Sequence, residues 1–267
     1  MSDGFYTVDD FDMDIYNATG TWQLRTGVPD LVDVTNYATG GQFKNKAQNA
    51  FPGMVKFKDT NNDGVVNNDD ATIIGHAMPE HTGGFNLYLT WKGLDFAAGF
   101  VYQIGGSVYN ANAMFSMMGN KDNSLGANRL SFVADAWKMY DVNAAGDLVP
   151  VTDPEGLRNL NANARYGLPY SEYGIVSSDF IEDASYLRLN TLTLGYTFPD
   201  KWMQKAKISK LRVYFTGGNL FCIAGYKGLD PDVNTTPVTG GFPTPAYDYL
   251  SYPKARTFTF GLNLSFF

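Results

Sequence analysis

The sequence predicts an all-β chain of antiparallel strands that cross a membrane. Three observations predict it: segments alternate apolar and polar residues with period two, their polar faces are nearly free of charge, and short connections alternate with long ones. Composition agrees. Among 267 residues there are 17 Tyr, 19 Phe and 28 Gly, and only 18% are charged, a balance that favours strands and turns over helices.

Gly84 to Trp91 is the first such segment, with Phe85, Leu87, Leu89 and Trp91 on one face and Asn86, Tyr88 and Thr90 on the other. Lys92-Gly93 then reads as a two-residue hairpin turn. The second segment, Leu94 to Ile104, sets Leu94, Phe96, Ala98, Phe100 and Tyr102 against Asp95, Ala97, Gly99, Val101 and Gln103. The third spans Tyr186 to Phe198, with Leu192, Leu194, Tyr196 and Phe198 opposite Thr191, Thr193, Gly195 and Thr197. Continuing that alternation upward places Arg188 and Asn190 on the apolar-face parity, as expected where the strand leaves the membrane. The fourth covers Leu211 to Phe221, and the fifth, Thr257 to Phe267, sets Phe258, Phe260, Leu262, Leu264 and Phe266 against Thr259, Gly261, Asn263 and Ser265.

A soluble sandwich would point its apolar faces inward and carry Lys and Glu outside. Here the polar faces are Thr, Asn, Gly, Tyr and Gln, and the apolar faces end in aromatics. That is the pattern of an outer-membrane barrel, whose lipid-facing band is apolar and whose interior is neutral and polar. Strand lengths match the ~9–11 residues that a tilted strand needs to span the bilayer. Two residues join the first pair of segments and a compact run around Pro199 to Ser209 joins the third to the fourth, whereas the other connections run to about eighty and about thirty-five residues. Short turns are periplasmic in such barrels, so the long connections fall outside. Residues 1–83 are thereby expected on the extracellular side, with a calcium-type loop. Residues 84–267 hold the barrel strands, with long extracellular loops at 106–183 and 219–254.

Other classes are disfavoured. No stretch approaches the ~20 apolar residues of a transmembrane helix, and Met1-Ser2-Asp3-Gly4 does not open a signal peptide. With 20 basic and 27 acidic residues and no Lys/Arg run, nucleic acid is an unsuited partner. Cys222 is the single cysteine, and His76 and His81 lack a metal-binding spacing, so they read as loop residues. No phosphate loop, zinc-protease motif or nucleophile elbow is present, and no carboxylate pair has a separation that supports catalysis, Glu182-Asp183 included. The reading is no enzyme.

Asp59-Thr60-Asn61-Asn62-Asp63-Gly64-Val65-Val66-Asn67-Asn68-Asp69-Asp70 matches the twelve-residue calcium loop. Side-chain oxygens fall at Asp59, Asn61, Asp63, Asn67 and Asp70, Val65 offers its carbonyl, and Gly64 makes the sharp turn. Asp rather than Glu at the last position resembles dockerin-type loops and should weaken the grip. The alternative is a plain turn, because Asn-Asp-Gly clusters make turns without metal. A bound Ca2+ would be structural, stapling a surface loop.

Smaller expectations complete the reading. Asn17-Ala18-Thr19-Gly20 suggests a small hairpin, and Arg129 to Tyr140 has helical spacing. Trp137, Tyr140, Tyr166, Tyr170 and Tyr173 lie in the long connections, where aromatic faces could stack on sugar rings, anchor loops or meet a partner protein, and none is assigned as a site. Thr-Gly-Gly at Thr39, Thr82, Thr216 and Thr239 is irregularly spaced and reads as turn punctuation, not a repeat.

Several stretches carry a family resemblance. They are Phe180-Ile181-Glu182-Asp183-Ala184-Ser185-Tyr186-Leu187-Arg188-Leu189-Asn190 continuing through Thr191 to Pro199, Val213-Tyr214-Phe215 with Gly218-Asn219-Leu220-Phe221, Gly228-Leu229-Asp230-Pro231-Asp232-Val233, and Tyr252-Pro253-Lys254-Ala255-Arg256-Thr257 through Leu264. With Pro52-Gly53 through Asp70 and Ile74-Gly75-His76-Ala77-Met78-Pro79, they resemble, in order, the C-terminal portion of SusC/RagA-family TonB-dependent outer-membrane transporters. The resemblance covers residues 50 to 267 and is loose before that. It implies about the last five strands of a 22-stranded barrel, a SusD-like surface lipoprotein as partner, import of oligosaccharides or peptides, and energy delivered through TonB by a plug domain. This chain shows no plug or TonB box, and five strands cannot close such a barrel, so it is expected to be one portion of a larger protein. Thr259-x-Gly261-x-x-Leu264-x-Phe266 resembles the signal read by the barrel-assembly machinery, although any terminal barrel strand alternates in this way. The rival from another class is a secreted, soluble, calcium-stapled β-sandwich that binds glycans. It needs Phe96, Phe100, Leu194, Phe260 and Leu264 in a dry core, where the transporter needs them against lipid.

Overall fold

The computed structural model describes residues 1–32, 34–36, 41–43, 50–118, 128–169, 175–204, 207–233, 246–249 and 251–266. These form two compact units, one from Met1–Ile74 with Ala111–Ile181 and one from Gly75–Asn110 with Glu182–Phe267. Much of the connection at 106–183 thus folds with the first seventy-four residues.

The second unit is built on an antiparallel sheet of β1 (His81–Trp91), β2 (Leu94–Ile104), β3 (Tyr186–Thr197), β4 (Ile208–Ala224) and β5 (Thr257–Phe266), in the spatial order β5-β4-β3-β2-β1. All five segments read from the sequence are strands. The fourth runs further at both ends than its alternation implied, and Phe267 lies outside the described residues. Lys92 (φ 46°) and Gly93 (φ 90°) make the β1–β2 turn with both residues left-handed, as a two-residue hairpin requires. β1 and β5 are the two edges of the sheet, and among the described residues no strand pairs beyond them.

Register places the predicted faces correctly over most of the sheet. Leu89, Phe96, Leu194, Phe215 and Phe260 form one cross-strand row, and Tyr88, Ala97, Thr193, Thr216 and Thr259 form the row on the opposite face. The apolar side is open to solvent: Leu89 is 67% exposed, Leu262 61% and Phe260 81%. A sandwich core would bury these side chains, so the secreted-sandwich alternative loses its central requirement. The surface is too continuous for a soluble face and suits lipid. Trp91, Tyr196, Phe198 and Trp202 gather at the short-turn end, with Tyr196–Phe198 at 5.0 Å and Phe198–Trp202 at 6.4 Å between ring centroids. That is the composition of an interfacial aromatic girdle.

One expectation about this sheet fails. Arg188 does not share the apolar face. Leu189 pairs with Phe100 and Phe221, and Thr191 pairs with Gly99 and Gly218, so Asn190 has no opposite number on β2. This bulge shifts the alternation by one residue. Above it Leu187 and Leu189 join the apolar face, and Arg188 turns to the polar face beside Val101 and Cys222.

The first unit has its own core, with Tyr6, Val8, Phe11, Leu31, Met54 and Val55 almost wholly buried. Its elements are short, among them the paired strands Ser2–Phe5 and Val55–Phe57 and the parallel pair Asp30–Leu31 and Val65–Val66. Two expectations are corrected here. Asn17-Ala18-Thr19-Gly20 ends a helix, Met13–Thr19, instead of making a hairpin. Asp12 accepts hydrogen bonds from the Asp14 and Ile15 amides as the N-cap, and Gly20 at φ 72° closes the helix in the left-handed region. Between Arg129 and Tyr140 only Ser131–Asp135 is helical, and as a 3-10 turn. The Trp137 amide bonds to the Tyr166 carbonyl at 2.8 Å, and Tyr140–Val142 pairs with Leu148–Pro150, so non-local strand bonding wins over helical spacing. No described helix is long and apolar enough to cross a membrane.

Candidate functional site

The polar face of the sheet is the first candidate surface. Near its short-turn end, Arg212 on β4 reaches across β3 to Asp95 on β2, donating through Nε at 2.9 Å and through Nη2 to the second carboxylate oxygen. The reach is possible because Gly195 lies between them, where a Cβ would collide with both partners. The same guanidinium lies 4.9 Å from the centre of the Tyr214 ring. The Tyr214 ring in turn covers Gly261 on β5, leaving no room for a Cβ there. Four strands are thus tied by one lateral chain, supplemented by the Thr193–Thr216 hydroxyl pair at 3.0 Å. A forked guanidinium–carboxylate bond is directional and holds β2 and β4 in fixed register.

Higher on the same face, Arg188 donates to Asp230 Oδ1 at 2.5 Å, and only 5% and 8% of the two side chains remain exposed. Asp230 Oδ1 also accepts the Asp232 amide at 3.0 Å. Arg188 Nε is buried without a partner, and the guanidinium lies 5.4 Å from the Tyr186 ring centre. The Gly228–Val233 turn is therefore pinned to the polar face of β3 through one buried ion pair.

Beyond the long-loop end, Ser107–Asn110 is the middle strand of a small sheet whose outer strands are Ile181–Asp183 and Tyr247–Asp248. Glu182 is a bracket here, accepting from the Asn110 side chain at 3.0 Å and the Lys227 amide at 2.7 Å. Tyr226 donates to the fully buried Asp248 at 2.5 Å. Burial first, and then this carboxylate, push the Tyr226 hydroxyl far above the ordinary phenol range.

The first half of the acidic loop is closed by side-chain-to-backbone hydrogen bonds. Asp59 Oδ1 accepts the Asn62 amide at 2.6 Å and Oδ2 accepts the Gly64 amide at 2.8 Å. Asn61 Oδ1 accepts from Asp63 at 2.9 Å and Asp63 Oδ1 from Val65 at 3.0 Å, while Gly64 sits at φ 91°. Asp70 is drawn elsewhere. Its Oδ1 takes the Thr60 amide at 2.6 Å, and its Oδ2 takes the Asn67 amide at 2.8 Å. Burial alone would raise the Asp70 carboxyl, but the Asn67, Thr60 and Asn61 amides outweigh it and hold the group below the usual range. Among the described residues no three acidic, His or Cys side chains converge as a metal cluster. Asp59, Asn61 and Asp63 lie in one turn, and Asp70 bonds back to the Thr60 and Asn67 amides.

Thr259 and Gly261 lie on the polar face of β5, and Leu264 and Phe266 on the apolar face, 40% and 68% exposed. Of the loop aromatics, Trp137 is not a ligand platform: it is 4% exposed and packs edge-on against Phe5 at 5.6 Å. Tyr166 packs edge-on against Phe132 at 5.1 Å, and Tyr140 is exposed. Tyr170, Tyr173, Thr39 and Thr239 lie outside the described residues. Sequence reasoning missed the Arg188–Asp230, Arg212–Asp95 and Tyr226–Asp248 pairs. Charged residues at polar-face positions of otherwise uncharged strands were the available signal for Arg212–Asp95, and a charge on the apolar-face parity was the signal for Arg188.

No family model matches the chain. The TonB-dependent receptor P3 of Formosa agariphila is 30% identical over 217 residues, which make up 80% of this chain and 19% of that receptor. The TonB-dependent receptor SusC of Bacteroides thetaiotaomicron is 29% identical over 221 residues, 82% of this chain and 18% of that receptor. A structure of the RagAB peptide transporter aligns with 71% of this chain and 17% of its own at 25% identity and a TM-score of 0.51. The RagAB peptide importer in its closed-closed state covers 99% of this chain and 22% of its own, at 20% identity and a TM-score of 0.51, which is a likeness of fold. The chain spans about a fifth of the length of the curated relatives it matches. TonB-dependent receptors are transporters rather than enzymes, and they reside in the Gram-negative outer membrane. Over most of its length, this chain is homologous to the SusC/RagA family of TonB-dependent receptors.

Proposed function

We propose that this chain is wall and loop structure of an outer-membrane importer that takes up oligosaccharides or peptides, works with a SusD-like surface lipoprotein and is energised through TonB. The observation that carries the reading is the two-faced sheet: an exposed apolar side ringed by aromatics, and a polar side of Thr, Gly, Tyr and Asn. The lipid-facing side supports membrane residence, and the polar side suits a hydrated path or a packed plug. Likeness to the RagAB peptide transporter supports peptide as a substrate class and a lipoprotein as partner, whereas oligosaccharide rests on the family resemblance. The test is uptake of labelled oligosaccharide and labelled peptide by cells with and without TonB, together with purification of the protein from outer membranes. TonB-dependent uptake of one substrate and a co-purifying lipoprotein support the proposal. Uptake indifferent to TonB, or a protein found only in the soluble fraction, overturns it.

Orientation has its own test. Phe260→Arg places a cation on the lipid side and is expected to cost about 2–4 kcal/mol, lowering the yield of folded protein in the outer membrane. Thr259→Arg, one residue away on the other face, is expected to leave the yield near that of the parent. Equal loss from both substitutions would remove the assignment of faces.

We further propose that the acidic loop takes calcium through Asp59, Asn61, Asp63, the Val65 carbonyl, Asn67 and Asp70. All of these are hard oxygen donors, and Asp59 and Asp63 are already oriented by the backbone. The competing description is a turn closed by the same side-chain-to-backbone bonds without metal. Calorimetric titration of the protein with calcium chloride is expected to show saturable binding that Asp59→Ala combined with Asp63→Ala abolishes. No heat from the parent protein would favour the turn. Because the Asp70 carboxyl is depressed in the fold, its stabilising contribution is present above the usual aspartate value of about 3.9 and is lost as pH falls through the lower folded value. The loop should therefore resist proteolysis down to that acid limit even after chelation.

The β5 residues Thr259, Gly261, Leu264 and Phe266 are proposed as the signal met by the barrel-assembly machinery. Their alternation and position on an edge strand support this.

A further inference from the structure

We infer that the two short turns of the sheet bind the phosphodiester of an anionic inner-leaflet phospholipid through Lys92 and Lys201, with Trp91 and Trp202 entering the acyl boundary beside it. The inference rests on the reading of this sheet as barrel wall with its short turns at the periplasmic surface, where the outer membrane presents phospholipid. Each turn carries a lysine next to a tryptophan, Trp91-Lys92 in the first and Lys201-Trp202 in the second. Backbone bonding sets the turns side by side. The Thr197 amide at the end of β3 donates to the Gly93 carbonyl at 2.8 Å, and the Phe198 amide donates to the Leu211 carbonyl at 3.0 Å. The approach is close enough that a Cβ at Gly93 would stand 2.6 Å from the Thr197 carbonyl oxygen and 3.4 Å from the Tyr196 ring.

Both tryptophans belong to the apolar side. Trp91 shares the parity of Leu87 and Leu89 and is 67% exposed. Trp202, in the short helix Asp200–Met203, is 61% exposed and lies against Phe198, which packs on Tyr196, the apolar-face partner of Leu94. The Lys92 ammonium stands 5.1 Å from the centre of the Trp91 ring, so its charge is held at the edge of that side. Charge then selects the lipid. The chain carries a net charge of −7, yet the described residues from 199 to 210 hold Lys201, Lys207 and Lys210 against Asp200 alone, and Lys92 adds another cation. Among the described residues no ion pair engages any of these lysines, and Asp95 is committed to Arg212 on the polar face. Lys210 stands opposite Ser265 and has polar-face parity, which leaves Lys92 and Lys201 beside the tryptophans. An ethanolamine head group brings its own ammonium and gains little from more cations, whereas phosphatidylglycerol brings a net negative charge. A periplasmic protein would meet the charge but not the rings, which belong at the boundary of the acyl region.

The test is native mass spectrometry of the protein purified from outer membranes, reconstituted in vesicles holding equal amounts of phosphatidylglycerol and phosphatidylethanolamine, and released with its retained lipids. Phosphatidylglycerol is expected to be retained over phosphatidylethanolamine by about fivefold or more, the weight of one lysine at an anionic surface. Lys92→Gln with Lys201→Gln should bring the ratio close to even, and Lys92→Arg with Lys201→Arg should preserve it. Lys210→Gln removes a charge from the other face and should leave the ratio as in the parent. Even retention by the parent overturns the lipid selectivity. A loss in Lys210→Gln as large as in the double glutamine variant means diffuse charge and overturns the site. An excess that inorganic phosphate competes away assigns the lysines to soluble phosphate and overturns the lipid. A protein that stays soluble and does not enter the vesicles would instead overturn the barrel-wall reading, so the two failures are distinguishable.

Discussion

Asp230→Ala is expected to destabilise the folded chain by about 3–5 kcal/mol, the cost of leaving one member of a buried ion pair without its counter-charge. Arg188 has 5% of its side chain exposed and one strong partner, Asp230 at 2.5 Å. Removing that partner strands a guanidinium whose Nε is already unsatisfied. Arg188→Ala should cost a similar amount, because Asp230 would keep only the Asp232 amide. The two losses should not add. Arg188→Leu with Asp230→Leu removes both charges and is expected to recover much of the stability, since paired apolar replacements of buried ion pairs are commonly near neutral. The measurement is the temperature at which the folded form converts to the unfolded form on a denaturing gel without boiling, compared across the four-variant cycle. Additive losses, or single losses under about 1 kcal/mol, would mean that water reaches the pair and that it behaves as a surface bridge. Limited proteolysis adds a local readout. The Gly228–Val233 turn should become cleavable in either single variant while the strands stay protected, because the pair is what fastens that turn to β3.

That pair also shows where legibility in the sequence ended. The strands could be read because each writes its period twice, once in apolar residues and once in uncharged polar ones. Lys92-Gly93 could be read because two left-handed residues in succession tolerate few alternatives. The bulge at Asn190 was missed although its trace is present. The leucines occupy odd positions at 187 and 189 and even positions at 192 and 194, and one inserted residue is the simplest cause of that switch. Reading through it as a continuous strand sent Arg188 to the wrong face. Asn17 to Gly20 carried turn residues, but Asp12 supplied an N-cap and converted the segment to the end of a helix. Trp137 could be read either as a ligand platform or as a loop anchor, because sequence cannot show that Gly53, more than eighty residues away, leaves the space its indole fills. The twelve-residue spacing was explicit, yet the bonds that Asp70 accepts from the Thr60 and Asn67 amides are set by the fold of the whole loop. Pairs such as Tyr226–Asp248 join distant loops, and no local pattern announces them.

Gly261→Val is expected to cost more than a glycine-to-valine change in an exposed strand, where β-branching would help. The Tyr214 ring lies across the Gly261 Cα, so even one added carbon collides with it. Gly261 does not have a positive φ, and the cost is therefore steric rather than conformational. To clear the space Tyr214 must swing away and give up its contact with the Arg212 guanidinium, 4.9 Å from the ring centre. Overpacking of this kind costs about 1–3 kcal/mol, and the lost cation–π contact adds about 0.5–1 kcal/mol. Tyr214→Ala removes the obstacle, so Gly261→Val in that background should be nearly neutral or stabilising. The same cycle separates packing from recognition. If the assembly machinery reads Gly261 directly, Gly261→Val will reduce the amount reaching the outer membrane whether or not Tyr214 is present. If the glycine serves the tyrosine, Tyr214→Ala will restore the amount along with the gel-shift temperature. The geometry favours the second result: Gly261 faces the polar side with its Cα under an aromatic ring, whereas Leu264 and Phe266 present exposed side chains on the opposite face. Any recognition of β5 should accordingly depend on Leu264 and Phe266 more than on Gly261, and Leu264→Ala with Phe266→Ala should lower membrane yield with little change in the gel-shift temperature of the protein that does assemble.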